Sequence, residues 1–486
     1  MVRQLPVLLF LSAFTPVFLI PFVLRWKRAP YLLSCAGLLL SACFSVYALV
    51  LISHGHTQHY YFGGWAAPYG IEWRLDGLSA LIATLVSTVS FFVILGTSGF
   101  VQKEMRKGTV PYYMIAMLHI TSLLGIVMTA DLFNLFVFIE VASLTGYALI
   151  AAGGSKNGLM ASYRYVILGT IGASFYLLGV GYLYAASGTL NMADMTRILT
   201  SIPPSKTVMM GLLLILLGLC IKMGLFPFHS WLPNAYTFAP DGASALIAPL
   251  STKVMIYAFI RIFGWIIQAP VLTDYPVISS LRLLAIAAIL AGSVLAFKQD
   301  RLKKMLAYSS VSQIGLMMLA FSFQNPVALT GVLLHMICHS VSKAGLFVIA
   351  ATAHHRLGAE TLEQFEGFAK RMPAEAFFFC MAGLSLIGIP PFGGFFSKWY
   401  MVSGALESRH FVSAAIVIFS GLLTALYIFR FLEKMFFAGG KTTPSGPREV
   451  TDFPFLISAL SALGLLALGI TAPLLFRWSL NHVLIN

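Results

Sequence analysis

Residues 219–233 read LCIKMGLFPFHSWLP, an apolar run that carries one ammonium group, Lys222, and a proline five residues later, Pro227. Inside hydrocarbon each is costly. A charge at the bilayer centre costs at least about 2.5–3.5 kcal/mol, and a proline cannot donate to the carbonyl four residues back. Together they are compatible: a helix that breaks at Pro227 leaves free carbonyls beside Lys222, and this negative pole of a half-helix can hold an ammonium. Broken helices are tolerated in membranes only where the loose backbone faces protein or water. The stretch therefore predicts a polar pocket inside a bundle of membrane helices, with His229, Trp231 and Pro233 opening a second short helical piece.

The surrounding chain agrees. Of 486 residues, 59% are hydrophobic and only 10% charged, whereas about a quarter of residues are charged in soluble domains. The expected fold is an all-α integral membrane protein, a single polytopic domain over 1–486. A span needs roughly 20 apolar residues, and cutting at charged or Pro/Gly-rich interruptions gives about fourteen, near 5–24, 31–52, 77–100, 111–130, 132–152, 160–186, 207–226, 241–267, 277–296, 304–322, 327–352, 374–402, 411–432 and 454–476. No small-residue cleavage site precedes Arg25, Lys27 and Arg28, so the first segment is read as retained.

A net charge of +14 suggests nucleic acid. Alternating the loops disposes of that reading, because nineteen Lys and Arg fall on one side and seven on the other, the asymmetry of the positive-inside rule. It predicts a cell inner (plasma) membrane protein with both termini outside. The five remaining basic residues, Lys222, Lys253, Arg261, Lys343 and Lys398, lie within spans. The five cysteines form no CxxC pair, and Gly-rich phosphate loops, GxSxG and CxxCH are absent. No cofactor, metal or hydrolytic nucleophile is therefore expected.

Charges inside spans mark functional candidates by default. In the fifth span Asp131 stands at the start, where a helix cap suffices, but Glu140 lies about 13 Å of helix rise further in. Lys253 follows the bend after Lys222, and Arg261, two turns beyond, reads as a side chain snorkelling to the interface. In GVLLHMICHSVSKAGLFVIA (331–350), His335, His339 and Lys343 recur every four residues and form one stripe. Spaced about 6 Å apart along the axis, they suit a proton relay better than a metal site, since a nearby ammonium repels a cation. SLIGIPPFGGFFSKWYM (385–401) carries a second break at Pro390, Pro391, Gly393 and Gly394, with Lys398 expected to face the positive pole of the second half-helix. Paired breaks point to internal repeats with a site at the break.

At these residues the chain resembles the antiporter-like proton-translocating membrane subunits of complex I, of multisubunit Mrp-type Na+/H+ antiporters and of membrane-bound hydrogenases. The matching motifs are DLFNLFVFIE (131–140), KMGLFPFHSWLPNAY (222–236), APDGASALIAPLSTK (239–253), QDRLKKMLAYSSVSQIG (299–315), HMICHSVSKAGLFVIA (335–350) and GIPPFGGFFSKW (388–399). The resemblance implies fourteen helices in two inverted five-helix repeats, about 111–267 and 277–432, with broken helices at spans seven and twelve. It implies a mid-membrane proton path through Glu140, Lys222, Lys253, His335, His339, Lys343 and Lys398, in which Glu140 and Lys222 form a switchable ion pair. Lysine rather than glutamate at 398 favours the D-type member of an Mrp-type antiporter; the alternative is an ion-pumping subunit of a hydrogenase or complex I-type oxidoreductase. Implied partners are other membrane subunits and lipid, with protons carried and Na+ a second candidate ion. Asp241 and Gly242 depart from the small or proline residues that the resemblance leads one to expect.

Two other classes compete. A stand-alone solute carrier needs one roomy pocket, whereas these groups are spread over at least five spans. A scaffold of buried pairs fits poorly, because Lys222, Lys253, Lys343 and Lys398 outnumber Glu140.

Overall fold

The structure is a computed structural model and describes residues 4–483 except 24, 27, 106–107, 204, 267–276 and 438–452. Arg3, Lys27, Arg106, Lys107, Lys441 and Arg448 of the charge census lie outside the described residues. The described chain is mostly α-helical, and twelve of its helices are long and apolar enough to cross a membrane. The fourteen expected spans are not reached on length and apolarity alone. Leu302–Phe321 has the length, but its lysines, serines and Gln313 set it apart from the twelve, and the expected span 374–402 is divided between the shorter helices Pro373–Ile387 and Gly393–Glu407.

Several of the helices begin at short polar residues that accept from their own first turn. Asp76 accepts from Ser79 N–H, Asp131 from Asn134, Ser155 from Gly158, Ser205 from Val208 and Asn325 from Val327, each cap stabilising by about 0.5–2 kcal/mol. Asp131 is thus the cap that its position suggested. At one end of the bundle, strands Gln58–Tyr61 and Glu72–Leu75 pair antiparallel, from Gln58 opposite Leu75 to Tyr61 opposite Glu72. Trp73 then bridges to Thr129, and Asp131 to Asn191. This hairpin was not foreseen.

Asp241–Ile266 and Pro326–Leu357 form the centre. Their apolar windows are 100% and 89% buried, against 33% for Leu5–Phe22, so the two helices that carry Lys253 and the histidine stripe are the most enclosed. Around them, glycines bring neighbours into backbone contact, as small residues do between membrane helices. A Cβ on Gly218 would stand 2.6 Å from Gly172 O, and one on Gly179 2.6 Å from Gly211 O, joining Lys156–Ser187 to Lys206–Met223. In the second half a Cβ on Gly315 would stand 2.7 Å from Ala285 O, joining Val277–Phe297 to Leu302–Phe321.

Lys206–Met223 stops before Pro227. Gly224, at φ 73°, caps it, and Leu225 N–H donates to Cys220 O at 3.0 Å before the chain restarts as Trp231–Phe238. The residue that ends the helix is the left-handed glycine, which no other side chain replaces without strain; the proline follows it. Pro373–Ile387 ends the same way at Gly388, φ 92°, with Ile389 N–H donating to Leu384 O at 3.1 Å.

Candidate functional site

The carbonyls at the first interruption do not hold Lys222. Trp231 Nε1 donates to Ile221 O at 2.9 Å and Leu225 N–H takes Cys220 O, so neither is left for the ammonium. Lys222 Nζ donates instead to Glu140 Oε1 at 2.7 Å and Ser143 Oγ at 2.8 Å. Glu140 and Ser143 are three residues apart and share one face of Leu132–Ala151. The lysine side chain is 2% exposed and the glutamate 24%.

The second interruption is the reverse of what the sequence suggested. Lys398 starts on the second half-helix, but its ammonium reaches back across the break and donates to Leu386 O at 3.1 Å and Ile387 O at 2.9 Å. It therefore sits on the negative pole of Pro373–Ile387. The restart permits this by its closeness: a Cβ on Gly394 would overlap Ser385 O, and one on Gly388 would stand 2.9 Å from Lys398 Cδ.

Between these ends the remaining candidates are fully enclosed. Lys253 Nζ donates to Ala248 O at 2.7 Å and Thr252 Oγ1 at 3.3 Å. Lys343 Nζ donates to Leu306 O at 2.6 Å and to Ser309 Oγ. His335 places Nε2 2.9 Å from Gln313 Oε1 and Nδ1 2.9 Å from Ser397 Oγ, the neighbour of Lys398. His339 stacks parallel to His335 with centroids 6.1 Å apart, and neither of its nitrogens has a hydrogen-bond partner among the described residues. Lys253 lies within electrostatic reach of His335, His339 and Lys343, and Lys398 within reach of His335. No direct hydrogen bond joins Lys222 to Lys253 or Lys343 to His339 among the described residues.

Neutral polar groups that do not stand out in the sequence fill several gaps. His119 places Nδ1 3.0 Å from Thr145 Oγ1 and Nε2 3.0 Å from Ser251 Oγ, linking the helix of Glu140 to the helix of Lys253. Gln313 Nε2 donates to Thr424 Oγ1 at 3.2 Å, and Ser340 Oγ donates to Pro249 O at 2.8 Å across the two central helices. One signal was available: QDRLKKMLAYSSVSQIG is unusually polar for a span.

Arg261 does not snorkel. It is 6% exposed and forms a bidentate pair with Asp76, at 2.6 and 2.7 Å, and also donates to Tyr257 Oη. Burial pushes the Asp76 carboxyl up, but the Arg261 guanidinium, with Arg74 beside it, outweighs burial and holds it well below the usual carboxylate range. Asp241 opens its helix and pairs with Lys303, while the tight approach at Gly242, where a Cβ would stand 2.7 Å from Val101, explains why glycine follows it.

Comparison with known proteins is consistent with this geometry. The profile of the NADH:quinone oxidoreductase/Mrp antiporter transmembrane family matches residues 129–424. The N subunit of the NADH-quinone oxidoreductase of Desulforudis audaxviator is 40% identical over 450 residues, covering 89% of this chain and 88% of that protein. The D subunit of the Na(+)/H(+) antiporter of Alkalihalophilus pseudofirmus is 31% identical over 440 residues, covering 90% and 88%. Among solved structures, a chain of the membrane-bound sulfane sulfur reductase, an archaeal respiratory membrane complex, superposes with a TM-score of 0.90 at 29% identity, covering 98% of this chain and 96% of that one.

Proposed function

Because the chain belongs to the NADH:quinone oxidoreductase/Mrp antiporter transmembrane family, we propose that it carries protons through the membrane along Glu140, Lys222, Lys253, His339, Lys343, His335 and Lys398. It is an antiporter-like, multi-pass subunit of a multisubunit membrane complex. The observation that carries the proton reading is the Glu140–Lys222 pair. A 2.7 Å contact between a buried ammonium and a carboxylate that keeps a quarter of its surface exposed is one that a small side-chain movement can open. Opening it leaves Lys222 with Ser143 alone, and an unbalanced buried charge costs several kcal/mol. That energy acts on the nearest mobile charge, on Lys253 and the histidines beyond it. His339 has buried nitrogens with no hydrogen-bond partner among the described residues, as suits a carrier that exchanges protons through water.

The two repeats, about 111–267 and 277–432, are part of this reading. In support, the fourth span of each half is interrupted at a left-handed glycine, Gly224 or Gly388, with a lysine beside the break. The nineteen-to-seven distribution of basic residues supports an inner-membrane protein with both termini outside. Two observations bear on the complex. The 40% identity to an oxidoreductase N subunit favours a redox-driven oxidoreductase, and we adopt it; Lys398 is the feature that favours an Mrp-type Na+/H+ antiporter.

The test is proton uptake by vesicles containing the assembled complex, followed with a pH-sensitive dye. Lys222→Ala and Glu140→Ala are expected to abolish uptake while the complex still assembles. Uptake at the parent rate in either variant would overturn the proposal.

A further inference from the structure

Where Gly77–Glu104 ends, Asp241–Ile266 begins and Pro326–Leu357 ends, four side chains converge that the proton path does not use. His354 Nδ1 lies 2.7 Å from Asp241 Oδ2, and His355 Nε2 lies 3.2 Å from the same oxygen and 3.1 Å from Glu104 Oε1. One ligand atom from each of the four residues lies within 4.8 Å of the other three. A tetrahedral ion with bonds of about 2.0–2.1 Å sets its ligands about 3.3 Å apart, close to the 3.1 and 3.2 Å that separate His355 from Glu104 and Asp241, while the remaining groups would have to adjust to receive one.

We propose that Glu104, Asp241, His354 and His355 form a binding site for a divalent transition-metal ion of the Zn2+ class. Two imidazoles and two carboxylates are ligands for zinc and its neighbours, whereas Mg2+ and Ca2+ take all-oxygen sets. The outer groups are those that orient metal ligands. His354 turns its other nitrogen, Nε2, to Glu360 Oε1 at 3.4 Å. Glu104 is fixed by Asp241 N–H, which donates to Oε2 at 2.9 Å, and the His355 ring stacks on Phe100 at 4.7 Å. Lys303 occupies Asp241 Oδ1 and leaves Oδ2 for the ion. Lys303 and Arg301 offset two of the three carboxylates, so once the ion displaces the protons that the histidines share with Asp241 and Glu104, one net negative charge is left to balance it. Access is open: the group borders a cleft of about 400 Å³ lined also by Arg301, Lys303 and Glu360, and the His354 side chain is 40% exposed.

Two of the three helices tied by such an ion carry Lys253 and the histidine stripe. On the proton reading above, on which this consequence alone rests, occupancy would hold those helix ends together and slow transport.

The test titrates Zn2+ into the purified, tag-free full chain in detergent against a chromophoric chelator. One Zn2+ per chain is expected, undiminished by excess Mg2+, with X-ray absorption giving nitrogen and oxygen ligands at about 2.0–2.1 Å. Asp241→Asn and His355→Ala should each weaken binding about tenfold or more, with a metal-free melting temperature reported beside each to show that the variant folds. Replacing His54, His56 and His59 of the opposite face by alanine should change nothing. Absence of stoichiometric binding, binding indifferent to Asp241→Asn and His355→Ala, or binding lost with the three distant histidines would each overturn the site. Because binding is read without transport, a failure of the proton proposal is seen separately in the vesicle assay.

Discussion

Lys222 and Lys398 stand beside similar interruptions in the two halves of the chain, and their ammonium groups are held by different chemistry. Lys222 meets a carboxylate on another helix, at 2.7 Å; Lys398 meets, among the described residues, two backbone carbonyls at 2.9 and 3.1 Å. A side-chain partner can be withdrawn by one rotation, whereas carbonyls at a helix end move only if the helix does. On the proposed function, the first half is then the place for the element that switches, and the second for a fixed seat.

The sharpest way to break this contrast is at the pair itself. Glu140→Ala and Lys222→Ala should each abolish proton uptake and cost about 3 kcal/mol of stability, read as a lower melting temperature in detergent. The double variant should cost less than the two singles combined; simple additivity would mean that the contact carries no coupling.

Asp76 and Arg261 supply the static foil, a pair with contacts as short but no part in the path. Asp76→Asn should destabilise by about 3 kcal/mol and leave proton uptake at the parent rate. Because the folded Asp76 lies below its ordinary value, its contribution is complete above about pH 4 and is lost as pH falls from there through the folded value. The parent's melting temperature should fall along that acid limb, and the variant's should fall less.

At the seat, Lys398→Ala removes the donor from the Leu386 and Ile387 carbonyls, at about 1–3 kcal/mol. It should slow uptake less than Lys222→Ala does, and a larger effect would invert the comparison. The smallest effect on uptake is expected from Gln313→Leu, which takes one hydrogen bond from His335 and one from Thr424, at about 1–3 kcal/mol for each group left unsatisfied; it should lower the melting temperature and slow uptake less than Lys398→Ala, since Ser397 still holds His335.

What could be seen in the sequence follows the same chemistry. A charge or an imidazole in an oily run is conspicuous, so Glu140, the four lysines and the histidine stripe stand out as candidates. Most of the neutral groups around them do not, because serine, threonine and a lone histidine are ordinary in a span; His119, Ser143 and Thr424 give no signal, and Ser309 and Gln313 only the shared polarity of 299–315. The helix stops were assigned to Pro227 and the Pro390–Pro391 pair, although Gly224 and Gly388 end the helices, since a proline advertises its effect and a glycine does not. The group of Glu104, Asp241, His354 and His355 draws on three segments spread over 250 positions, so no local pattern announces it. Its one trace was Asp241 where a small residue was expected.

Gly172, Gly179, Gly211 and Gly218 lie in two rows, each pair seven residues apart, and press two helices together at the backbone. Their side chains amount to four hydrogen atoms. A helix seated so closely cannot roll or slide without lifting two whole turns off its neighbour, so those hydrogens set the height at which Lys222 rides in the bilayer. If the ion pair parts as proposed, the lysine's backbone is the anchor, and the travel belongs to Leu132–Ala151 or to the side chains alone.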